Sequence, residues 1–140
     1  RALEAAETLD QEGVSVEVVD PRSLVPLDKQ TILDSVARTG RLVVVDECPP
    51  RCSVASEIAA TVAEKGFNTL KAPPVRVNRR QAHIPYSPVL ENYIAPSAAR
   101  IIEAVKQVMG YESTTRAAIV VGVGFVPLML AEPFLIGGQF

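Results

Sequence analysis

Apolar positions along this chain follow two periods, and the switches between them mark the elements. Ala2, Ala5, Ala6 and Leu9 fall on one stripe at helical spacing. Gly13 stands where a left-handed residue ends a helix, so a helix is predicted to about Glu12. Val14 to Val19 is rich in β-branched residues and carries only Glu17 as a charge, the composition of a largely buried strand. Asp20-Pro21 ends it, because proline has no N–H for a ladder. Asp28 is placed to cap a second helix with Ile32, Leu33 and Val36 on its apolar face, and Gly40 to close it. Leu42 to Val45 is a continuous apolar run, as in an inner parallel strand covered on both faces.

The same reading continues downstream. Glu47-Cys-Pro-Pro-Arg-Cys52 is a loop, and Ser53 caps a third helix with Val54, Ala55, Ile58, Ala59 and Val62 turned inward and Gly66 as its stop. Pro73 and Pro74 precede a short strand, Val75 to Val77. Asn78 to Pro96 holds three prolines and no clear period, so a long irregular connection is predicted. Ser97 caps a last helix with Ile101, Ile102, Val105 and Val108 on one side, ending at Gly110. Strands alternating with helices predict an α/β fold built on a parallel sheet.

From Tyr111 the character changes. Ala117 to Ala131 is fifteen residues without a charge, interrupted by Gly122, Gly124 and Pro127. That is short of the roughly 20 residues a membrane-spanning helix needs, so a membrane role is not favoured. Ala117 to Gly124 imitates the strand and first glycines of a dinucleotide fingerprint, but position 127, where the third glycine belongs, is proline.

Composition narrows the function classes. A length of 140 residues suits one domain, and 48% hydrophobic with 21% charged residues is the balance of a folded protein. A net charge of −2 with scattered Lys and Arg gives no electrostatic footprint for nucleic acid, and tryptophan is absent. Two cysteines make no disulfide framework. The chain opens inside its first helical stripe without a methionine, so it is expected to be a piece of a longer protein.

Val16-Glu-Val-Val-Asp-Pro-Arg-Ser-Leu-Val-Pro-Leu-Asp28 resembles the β subunit of thiamine-diphosphate-dependent 2-oxoacid dehydrogenases, in its transketolase C-terminal-like domain. The resemblance continues through Gly40 to Glu47, Ser56 to Ala60, Ile84-Pro-Tyr-Ser-Pro88, Leu90-Glu91 and the helix from Pro96 to Met109. Pro50-Arg-Cys-Ser53 is most similar to the pyruvate and acetoin dehydrogenase branch. The implied fold is three-layer α/β/α with a mostly parallel, five-stranded mixed sheet. In that family two strands precede the first helix seen here, one of them central, and this chain is expected to lack both. The expected organisation is a truncated transketolase C-terminal-like domain over 1–110 and an atypical hydrophobic tail over 111–140. Ala118 to Val123 has the composition to pair into the central gap.

The resemblance implies a function in assembly: pairing with a second β subunit, contacting α subunits and docking a lipoyl-bearing acyltransferase. Thiamine diphosphate and Mg²⁺ would belong to the parent enzyme, bound on other domains, and no catalytic, cofactor-binding or metal-binding residue carries over onto this chain. The isolated chain is expected to be inactive, and its compartment to be the bacterial cytoplasm or the mitochondrial matrix. The equivalent of His83 to Pro88 lies along subunit contacts in the family, which makes Arg79, Arg80, His83 and Tyr86 the candidate subunit-contact residues. The competing reading is a proline-rich loop packed on its own domain with His83 solvated. Two other functions stay open: the same domain of a transketolase or deoxyxylulose-phosphate synthase, and a non-enzymatic α/β binding module.

Two residue clusters have chemical potential of their own. Asp20, Asp46 and Glu47 sit at predicted carboxyl ends of strands, where open α/β sheets place ligands. They could serve acid/base chemistry, but capping loops or pairing with Arg22 and Arg51 is the favoured expectation. Cys48 and Cys52 form a C-x-x-x-C spacing with His83 as the only histidine, too few ligands for a zinc site. Cys52, just ahead of a helix N-terminus, is a candidate for modest reactivity.

Overall fold

In a computed structural model of the chain, residues 1–110 and 116–121 are described. Among these residues are five helices, α1 (Ala2–Gln11), α2 (Lys29–Thr39), α3 (Val54–Lys65), α4 (Pro88–Ile94) and α5 (Ala98–Met109), and four strands. The strands are β1 (Ser15–Val19), β2 (Leu42–Asp46), β3 (Val75–Asn78) and β4 (Arg116–Val121). All pair in parallel in the order β1-β4-β2-β3.

The expected caps are in place. The Asp28 carboxylate accepts from the Thr31 backbone N–H at 3.0 Å, Ser53 Oγ from that of Ser56 at 3.3 Å, and Ser97 Oγ from that of Arg100 at 3.3 Å. Each satisfies one of the donors that a helix leaves unpaired at its start. Gly40 closes α2 at φ +73°, and its N–H donates to the Val36 carbonyl at 2.7 Å. A side chain there would be strained and would meet Lys71, which explains the glycine.

Helices cover both faces of the sheet, the three-layer arrangement expected. On one face α1 and α5 bury Ala5, Leu9, Ile101, Val105 and Val108 against Val43, Val45, Val77, Ala117 and Ile119. On the other, α2 and α3 bury Ile32, Val36, Ile58 and Val62 against Leu42, Val44 and Val120. Successive strand residues point to opposite faces, so β2 feeds both cores and is buried along its whole length.

Three features differ from expectation. β1 is an edge strand and only half-buried, because the sheet covers one of its sides alone. The stretch from Asn78 to Pro96 is not irregular throughout, since α4 occupies Pro88–Ile94. Pro88 sits in its first turn, where a proline loses no helical hydrogen bond and its fixed φ suits the helix. A short 3-10 turn, Phe67–Thr69, also follows α3.

β4 occupies the centre of the sheet. Ser15 to Val19 pair with Arg116 to Val120 on one side, and Leu42 to Val45 pair with Ala118 to Val121 on the other. Ala117 to Val120 have no exposed surface. The pairing expected of Ala118 to Val123 is therefore present over 118–121, while Val123 lies outside the described residues. So do 111–115 and 122–140, which hold most of the atypical tail and the Gly122, Gly124 and Pro127 positions of the imitated fingerprint. No helix among the described residues is long and apolar enough to cross a membrane.

Candidate functional site

Two of the three strand-end carboxylates, Asp46 and Asp20, have partners within their own domain. Asp46, 1% exposed at the end of β2, accepts from the backbone N–H of Cys48 at 2.9 Å and of Ala55 at 3.1 Å. One carboxylate thus pins the β2–α3 loop and supplies α3 with a second cap beside Ser53. Asp20 pairs with Arg22 at 3.3 Å on an exposed loop, as expected. Glu47 contributes its backbone carbonyl to Arg79, at 3.2 Å from Nε.

Cys48 and Cys52 are both free thiols, the first half-buried and the second exposed at φ +51°. Burial, and next the Asp46 carboxylate, push the Cys48 thiol above its ordinary pKa, the opposite of an activated nucleophile. Among the described residues no group of three or more His, Cys, Asp or Glu could hold a metal ion.

The segment after β3 has a different character. It starts by prolonging the sheet, with the Arg79 N–H donating to the Asp46 carbonyl at 3.2 Å and the Arg80 N–H to the Ile94 carbonyl at 2.9 Å. These bonds fold residues 79–94 back on themselves as a loop closed by α4. Ile94 alone on α4 is buried. Ile84, Val89, Leu90 and Tyr93 are all more than half exposed, and Tyr86 is completely so. Five exposed large apolar or aromatic side chains within ten residues form a dense run, unlike the scattered exposure normal for a surface.

Arginines frame this feature. Arg80 stacks over the Tyr93 ring, 4.7 Å from its centre, a cation–π contact. Arg79 donates to the Glu47 and Ala82 carbonyls, and Arg100, from α5, to the Asn78 carbonyl at 2.8 Å. Arg1 reaches the Pro96 carbonyl at 2.8 Å. A cavity of about 340 Å³ opens between Arg1, Glu47, Cys48, Arg79, Ile84 and Glu91.

Of the candidate contact residues, Arg79 and Arg80 are thus brought to the base of the loop, and His83 and Tyr86 stand exposed farther along it. Arg1, Tyr93 and Arg100 join them from other elements and were not singled out from sequence. Ser87-Pro88 as a helix start was the signal that would have placed Tyr93 on a helix. Arg1 and Arg100 arrive by tertiary packing, for which no local signal exists.

Comparison with known proteins agrees with this architecture. Residues 1–101 match the model of the transketolase C-terminal domain. The chain is 51% identical over 109 residues to the acetoin:2,6-dichlorophenolindophenol oxidoreductase subunit beta of Cupriavidus necator, covering 78% of this chain and 32% of that protein. It is 49% identical over 111 residues to the pyruvate dehydrogenase E1 component subunit beta of Leifsonia xyli, covering 79% and 32%. Against the mitochondrial pyruvate dehydrogenase E1 component subunit beta-1 of Arabidopsis thaliana it is 43% identical over 106 residues, 76% of this chain and 29% of that protein. The chain spans about a third of the length of these relatives. With the helix-covered parallel sheet and this match, the chain belongs to the transketolase C-terminal domain family.

Proposed function

We propose that this chain is the carboxy-terminal assembly domain of a dehydrogenase β subunit, in an enzyme acting on acetoin or a 2-oxoacid such as pyruvate. Its similarity to acetoin and pyruvate dehydrogenase β subunits supports that assignment. The parent enzyme would use thiamine diphosphate and Mg²⁺ to cleave or decarboxylate its substrate and pass the acyl unit to a lipoyl group. That chemistry resides on other domains. The donor set here does not suit it, because the one buried carboxylate at a strand end, Asp46, is committed to two backbone N–H groups.

The observation that carries the assembly reading is the exposed run Ile84, Tyr86, Val89, Leu90 and Tyr93. At roughly 25 cal/mol per Å² of apolar surface removed from water, burying such a run against a partner is a substantial driving force. Arg79, Arg80, His83 and Tyr86 are the proposed contact residues, with the α subunit, a second β subunit and the lipoyl-bearing acyltransferase as partners. The bacterial cytoplasm or the mitochondrial matrix is the proposed compartment, the named relatives including bacterial and mitochondrial proteins.

Co-expression of the parent β subunit with its α subunit tests this reading. Tyr86→Asp and Ile84→Asp, which disturb no buried group of the domain, should abolish co-purification while leaving the circular dichroism spectrum unchanged. Full recovery of the complex from both variants would refute the contact surface. The isolated chain, mixed with thiamine diphosphate, Mg²⁺ and pyruvate or acetoin, should show no turnover.

A further inference from the structure

The arginines at the base of the exposed loop form no ion pair among the described residues, though Glu47 and Glu91 share a cavity with Arg79 and Glu103 lies near Arg100. Residues 79–100 hold three arginines, Arg79, Arg80 and Arg100, against one carboxylate, Glu91, in a chain whose net charge is −2. The four ion pairs among the described residues join Arg22 to Asp20, Lys29 to Glu57, Arg38 to Glu17 and Lys106 to Glu12. None involves these arginines.

Their hydrogen bonds go instead to uncharged acceptors. Arg79 and Arg100 bond backbone carbonyls. The Arg80 guanidinium rests on an aromatic face. Carbonyls and rings hold a guanidinium in place and leave its full positive charge. The crowding is felt: burial, then the neighbouring Arg80, lower the pKa of Arg100, and Glu103 opposes them.

We propose that this face docks an acidic segment of a partner chain, one that presents carboxylates beside apolar side chains. The inference rests on the assembly reading above and names the chemistry of the partner. Arginine forks anchored from behind are pre-organised to accept carboxylates. Ile84, Val89 and Leu90, all exposed, would receive the apolar side chains between them. A phosphate backbone is the poorer match, because Glu91 stands within the patch and the aliphatic residues offer nothing to a sugar-phosphate chain.

The test uses the whole 140-residue chain and a fluorescein-labelled synthetic peptide alternating glutamate with leucine, followed by anisotropy. The acidic probe should bind at 50 mM salt and weaken several-fold at 300 mM, while a lysine–leucine counterpart should not bind. Arg80→Glu is the informative variant, since that guanidinium makes no hydrogen bond within the described residues. It should weaken the probe at least tenfold with unchanged circular dichroism, whereas Arg22→Glu, on another loop, should stay within twofold. Absence of acidic-probe binding, binding indifferent to Arg80→Glu, or tighter binding of a single-stranded oligonucleotide would overturn the proposal.

Co-purification with the α subunit separates this inference from the reading beneath it. Capture lost on Tyr86→Asp but kept on Arg80→Glu overturns the acidic partner and leaves assembly standing. Capture kept on both, with the probe still dependent on Arg80, sustains the acidic segment and removes the assembly reading.

Discussion

Replacing Asp46 tests whether the strand-end carboxylate is scaffold or site. Its two oxygens each accept one backbone N–H, from Cys48 and from Ala55, and the side chain is almost fully buried. Asp46→Ala leaves both donors unpaired. An unsatisfied buried donor costs about 1–3 kcal/mol. The half-buried Cys48 N–H belongs near the lower end, because water reaches it, and the Ala55 N–H nearer the upper end. The favourable charge at the N-terminus of α3 is lost as well, worth about 0.3–1 kcal/mol.

The expected loss is about 4 kcal/mol, a large share of the ~5–15 kcal/mol that holds a domain together. Asp46→Asn keeps the shape and one acceptor but turns an amide donor toward the other N–H, so about 2 kcal/mol should be lost. Urea unfolding followed by circular dichroism reads both values. At a slope of about 1–3 kcal/mol per molar urea, the alanine variant should shift the midpoint by more than about 1 M. If both variants stayed within about 0.5 kcal/mol of the parent, Asp46 would not be capping α3. A binding or acid/base role for Asp46 would then have to be reopened.

Three further outcomes are expected. Ile119→Ala, in the fully buried centre of β4, should cost about 2–5 kcal/mol in the same urea experiment; an unchanged midpoint would mean that β4 does not fill the sheet. At pH 8 iodoacetamide should modify exposed Cys52 well before Cys48, whose thiol is held up in pKa by burial and by Asp46, as mass spectrometry of timed digests would show; the reverse order would contradict the structure. Hydrogen bonds from the Thr31 backbone and hydroxyl hold Asp28 below its ordinary pKa of 3.8. Its stabilisation is therefore present above that value and lost as pH falls through the lower folded-state value. Thermal melts of the parent and Asp28→Ala should accordingly converge on acidification below about pH 4, and a gap that widened there would reverse the sign of the argument.

Much of this fold was legible locally. Asp28, Ser53 and Ser97 announce helix starts because a cap acts over three residues, and Gly13 and Gly40 announce ends because few other residues tolerate their positive φ. The unbroken apolar run of β2 reads as an inner strand because both faces of a central strand must be dry. α4 is hard to read locally because proline usually breaks a helix, and only its position decides whether it breaks or begins one. Of the contact surface, Arg79, Arg80, His83 and Tyr86 were marked through family resemblance. Tyr93 stacking under Arg80 was not, because that pairing depends on α4 folding back across the loop.

Local sequence therefore settled every helix and strand except α4, together with where most of them stop and which family they compose, since propensity, capping and apolar period all act within a few residues. Tertiary structure decided the rest. It set β4 between β1 and β2, although more than 70 residues of chain separate Arg116 from Leu42. It made β1 an edge, and it committed Asp46 to two N–H groups that only the β2–α3 turn brings within reach. It also gathered Arg1, Arg80 and Arg100 around one exposed apolar surface, because packing α1 and α5 on the same face of the sheet brings distant guanidinium groups together.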